Sequence, residues 1–94
     1  MAKYLAVLMH GRRDSEGRYE FNASDALLEE TPVRIMRTFM DSVEAQSGLG
    51  HMDYEINAAL KNEKQNIVTV IGEILFESGD HQPFVCMISH PDKL

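Results

Sequence analysis

The chain is short of cysteine, of positive charge and of long apolar runs, and each shortage excludes something. Cys86 is the only cysteine in 94 residues. No intramolecular disulfide can form, so the sequence suits a reducing compartment, and the cytoplasm is the expected location. Lys and Arg number 9 against 15 Asp and Glu, a net charge of −6. Unaided binding to nucleic acid or to an anionic membrane needs cations to meet phosphates, so neither partner is expected. The charge instead favours solubility. No stretch approaches the roughly 20 apolar residues that span a bilayer. The opening MAKYLAVLMHG has one lysine, a short apolar run and no small-x-small cleavage site, so no secretory leader is expected.

Chemical signatures are missing as well. There is no P-loop, no G-x-G-x-x-G, no G-x-S-x-G, no H-E-x-x-H and no C-x-x-C. No repeat, low-complexity tract or Pro/Gly/Ser linker divides the chain, and its length suits a single domain over residues 1–94. What is present is 44 % hydrophobic residues, too many for a disordered chain.

Residues 3–10, KYLAVLMH, are too short and too continuously apolar for an amphipathic helix and read as a strand buried on both faces. GRRDSEG, 11–17, is turn chemistry. RYEFNA, 18–23, places Tyr19 and Phe21 on one face, so 3–23 reads as a β-hairpin. Ser24-Asp25 can cap a short turn carrying Ala26, Leu27 and Leu28. Thr31-Pro32 then marks a helix start, with threonine at the N-cap and proline where its missing N–H is not needed. Over residues 31–47, Val33, Met36, Phe39, Met40 and Val43 share a face. Arg37 and Asp41 form an i,i+4 pair, and Gly48 with Leu49 suits a left-handed exit.

The remainder reads as a three-stranded meander. In 52–60, Tyr54, Ile56, Ala58 and Leu60 should face one way. KNEKQ, 61–65, is a polar turn. Strand 66–78 has Val68, Val70, Ile74 and Phe76 on one side and Ile67, Thr69, Ile71 and Leu75 on the other, with Gly72 marking a bulge or bend. GDHQP, 79–83, turns the chain into the last strand, 84–90. The expected fold is α+β, ordered ββαβββ, a mostly antiparallel five-stranded sheet with one main helix on one face. One helix covers only part of one face, and an uncovered apolar face usually meets a partner. A second copy on a two-fold axis is the simplest one.

Up-and-down connectivity brings His10, the 11–17 loop, His51 and His81 to one end of the sheet, and His90 to the other. Arg12, Arg13, Asp14, Asp53 and Asp80 share the first end. A candidate ligand-binding set is therefore His10, Arg12, Arg13, His51 and His81. Guanidinium forks suit a small anion such as a carboxylate or phosphate. Imidazole and carboxylate suit a divalent metal, but no H-x-x-x-H spacing is present, so no metal residue is assigned and no cofactor is expected. The plain alternative is that turns are polar. Cys86 lies with Phe84 and Ile88 and reads as a small hydrophobe without a nearby cation. Met36 and Met40 read as core filling. Glu73 and Glu77 share a strand face and read as solvated. No catalytic residue is assigned. The sequence thus points to a small dimerising binding or regulatory module without catalytic activity. The alternative is a small-molecule (anion or metal) binding protein, or a small enzyme, using the edge that carries the histidines and arginines.

Overall fold

Alternation along the strands decides which side chains meet the helix. In the first strand, β1 (Ala2–His10), Ala2, Tyr4, Ala6 and Leu8 are buried, while Leu5 and Met9 point the other way. The computed structural model describes residues 1–11, 16–47, 53–76 and 79–91. Within them the other strands are β2 (Glu16–Ala23), β3 (Asp53–Lys61), β4 (Ile67–Leu75) and β5 (His81–Ser89), and α1 (Pro32–Ser47) is the main helix. All five strands form one antiparallel sheet in the order β2-β1-β5-β4-β3. The ββαβββ fold is therefore the one expected, and the pairing of β1 with β5 closes the N-terminal hairpin onto the C-terminal meander.

The helix begins where its chemistry predicts. Thr31 accepts at both oxygens: its Oγ1 takes the Arg34 N–H at 3.4 Å and its carbonyl takes that of Ile35 at 3.0 Å. Before it, Leu27–Glu29 form a 3-10 turn whose Ala26 N–H donates to Ser24 Oγ at 3.3 Å. Leu27 and Leu28 bury beside the helix. Ile35, Met36, Phe39, Met40 and Val43 form the buried stripe of α1. Phe39 meets the rings of Tyr19 and Phe21 at centroid distances of 5.8 and 5.7 Å, and Phe21 stacks on Tyr4 at 5.5 Å. This aromatic row ties the helix to the hairpin. The row continues to His90, which is buried edge-on against Tyr4, 4.9 Å between centroids.

Four expectations are corrected. The first strand is buried on one face only, because a single helix leaves the other face open. Val33, expected on the buried stripe, is 56 % exposed, since it lies at the flank of α1 rather than under it. The last strand starts three residues early, so His81 belongs to β5 and not to a loop. The fourth concerns register in β3: Ile56 pairs with Gly72, but Ala58 pairs with Ile71, leaving Asn57 as an extra residue. This bulge turns Ala59 toward the core and sends Leu60 out, where it is 70 % exposed. Gly72 marks the bulge from the partner strand. A Cβ there would collide with the Glu55 carbonyl and sit 2.8 Å from the Phe84 ring. The helix exit read at Gly48-Leu49 lies outside the described residues.

Gly72→Ala should therefore destabilise the fold by about 3 kcal/mol, at the upper end of what overpacking costs. Urea denaturation monitored by circular dichroism measures it. A loss under about 0.5 kcal/mol, the size of an ordinary surface effect, would mean that β3 and β4 are not in such close contact.

Candidate functional site

Sheet order decides which members of the sequence-derived edge come together. His10 ends β1 on the helix side of the sheet. Its Nδ1 lies 3.0 Å from Gln82 Oε1, and its ring sits 6.1 Å from that of Phe76. Gly11, in the left-handed region at φ 66°, donates its N–H to the Pro83 carbonyl at 3.0 Å. His81 pairs with Leu75 and so belongs to the opposite, open face. It also lies three residues beyond Phe84, the partner of His10, or about 10 Å further along the strand. His10 and His81 therefore share an end of the sheet but not a face. Arg12, Arg13 and His51 lie outside the described residues. Among the described residues no group of three or more His, Cys, Asp or Glu is placed to hold a metal ion.

Two other surfaces carry more structure. The first is the open face. Reading across the paired strands, Val7, Met87, Thr69 and Leu60 form one row. Met9, Val85, Ile71 and Ala58 form the next. Met9 and Met87 are 45 % and 46 % exposed, and Leu5 and Ile71 are exposed as well. A depression of about 420 Å³ lies in this region, lined by Met9, Ile71, Pro83 and Val85 and reaching His10, Gly11 and Phe84. Toward the end of the sheet that carries His10 the face turns acidic, with Glu73 directly opposite Glu55.

The second surface is a cleft of about 490 Å³ between α1 and β3. Its apolar residues are Val33, Met40, Tyr54 and Ile56. Its charged residues are Arg37, Asp41, Glu44 and Asp53. The helix contributes its positions 33, 37, 40, 41 and 44, the spacing of a single stripe along one flank. The cleft exists because a helix about 10 Å wide cannot cover five strands about 24 Å across. Burial pushes the Tyr54 phenol above its ordinary range; the nearby Arg37 guanidinium opposes that shift, and the Asp41 and Glu44 carboxylates add to it. Linear reading misses this set because β3 and α1 become neighbours only through the three-dimensional crossing. The one available signal was the apolar Val33 beside three charged residues on the helix flank.

Cys86 is fully buried on the helix side of β5, and burial pushes its thiol up to about 12. It has the character of a core residue. No helix among the described residues is long and apolar enough to cross a membrane. No family model, curated protein or solved structure matches the chain, so function is argued from these surfaces.

The shift at Cys86 has a pH signature. Below pH 9 the thiol is protonated folded or unfolded, and its contribution is constant. Between pH 9 and 12 the unfolded chain releases the proton while the folded chain holds it, so stability falls as pH rises. From pH 9 to 10.5 the wild type should lose about 2 kcal/mol more than Cys86→Val, by urea unfolding at each pH. Equal losses would mean that the thiol ionises freely in the folded protein.

Proposed function

We propose that the protein is a small dimerising binding module of the cytoplasm whose self-association surface is the open face of the sheet. The observation that carries this reading is the apolar row Val7, Met87, Thr69 and Leu60, which crosses from β1 to the edge strand β3. The bulge at Asn57 extends that row by turning Leu60 outward, at the expense of burying a leucine in the core. Solvent gives no reason for such an arrangement, whereas a covering surface does.

Size supports a second copy as the cover. Five strands about 4.8 Å apart and eight or nine residues long give a face of roughly 24 by 30 Å, about 700 Å². Standard interfaces bury about 800 Å² per partner, so one face on another is adequate. Two-fold pairing is also the commonest way for a chain to cover a surface with itself. Met9 and Met87 add side chains that adapt their shape to a facing surface. A role as a regulatory partner of another protein rests on the same face. The rival reading, a small-anion or metal site at the histidine-bearing end, is supported by the His10–Gln82 pair alone.

Val85 is the middle residue of the middle strand and pairs with Met9 and Ile71 at the centre of this face. In sedimentation equilibrium at tens of micromolar the wild type should be a dimer. Val85→Asp should weaken association by about 100-fold or more, as expected for a charge placed at a desolvated centre. Its circular dichroism should be unchanged, because the residue faces away from the helix-side core. A wild type that stays monomeric up to about 100 μM, a dissociation constant too weak for a stable dimer, would overturn the reading.

A further inference from the structure

Beyond the terminal Met1, the methionines among the described residues fall into two pairs with opposite surroundings. Met36 and Met40 belong to the buried stripe of α1, at 0 % and 2 % exposure. Met9 and Met87 are 45 % and 46 % exposed on the open face. Met9 pairs with Val85 and Met87 with Val7, so the two are diagonal neighbours across the pairing of β1 with β5, roughly 7–8 Å apart. Leu5 and Ile71, both exposed, flank them on the same face. The two thioethers thus sit near the middle of the surface that closes the dimer. An oxidant in water reaches them in the free chain and is kept from Met36 and Met40 by burial. Cys86 is fully buried with its thiol pushed up to about 12, so no thiolate competes for the oxidant at neutral pH.

We propose that Met9 and Met87 are sites of reversible oxidation by a peroxide, and that their sulfoxides dissociate the dimer. This inference rests on the open face being the self-association surface. In the step, a sulfur lone pair attacks one peroxide oxygen and the O–O bond breaks. An S–O bond forms, the other oxygen leaves as water, and the peroxide takes up the two electrons that the thioether loses. The product exchanges an adaptable apolar side chain for a polar one. Val7, Val85 and Ile71 offer the new oxygen no donor, and Thr69, opposite Met87, supplies one hydroxyl for two sulfoxides. Under a second copy an acceptor is left unsatisfied, whereas water satisfies it in the free chain. Oxidation therefore favours the dissociated chain, and by the same linkage dimerisation shields both sulfurs.

The test uses the full chain at pH 7. Sedimentation equilibrium before any treatment establishes the dimer. Dilute protein is then exposed to hydrogen peroxide, and peptide mass spectrometry locates each added oxygen. Met9 and Met87 should gain oxygen about tenfold or more faster than Met36 and Met40. The oxidised chain should keep its circular dichroism and associate about tenfold or more weakly, the size expected for one buried acceptor left unpaired. Methionine sulfoxide reductase with a thiol reductant should restore the dimer. Met9→Leu with Met87→Leu, a volume-conserving change, should dimerise and keep that association through the same exposure. An oxidised wild type that associates as before, or a double variant that still loses its dimer on exposure, would overturn the switch and leave the dimer standing. Equal reaction at all four methionines would overturn it as well. A wild type already monomeric before peroxide would overturn the reading of the open face and the switch with it, and because this result precedes any oxidation, the two failures are told apart.

Discussion

Everything in this fold depends on the antiparallel seam between β1 and β5. Leu5 through His10 pair with Phe84 through Ser89, joining positions almost at the two ends of the chain. Closing so long a loop costs entropy that no local contact offsets, and burial across the whole sheet must offset it. Once closed, the seam puts β5 at the centre and sends β2 and β3 to the two edges. The helix must then cross from one edge to the other, because it connects β2 with β3. That crossing sets the core under Ile35, Met36 and Phe39 and leaves the cleft beside β3. The same seam aligns Val7 with Met87 and Met9 with Val85, so it also assembles the apolar rows of the open face.

Much of this was legible in the sequence wherever a local rule is strong. Thr31-Pro32 announced the helix because capping chemistry depends on two or three neighbouring residues. The two faces of β4 could be read because Ile67 through Ile71 are all β-branched, which marks both sides of a strand. The uncovered face followed from counting one helix against five strands. β3 was misread for a physical reason. Alternation holds only while pairing is regular, and the extra residue at Asn57 reverses the direction of every residue after it. Gly72 signalled the bulge, but a glycine shows only that backbone approaches closely, not which of the two strands carries the additional residue. The histidine-bearing end illustrates a different limit. Direction of travel along the chain brings His10 and His81 to one end, but face is set by register, and the 10-to-84 pairing separates them.

The two surfaces also differ in the physics they use. The open face is broad and largely apolar at its centre, which favours a large surface of the same kind. The cleft is narrow and flanked by charge. The sheet thus presents a broad apolar surface and a narrow charged cleft on its opposite sides. The edge strand β3 serves both. Tyr54 and Ile56, before the bulge, line the cleft, whereas Ala58 and Leu60, after it, extend the open face. In a regular register Ala58 and Leu60 would follow Tyr54 and Ile56 onto the helix side.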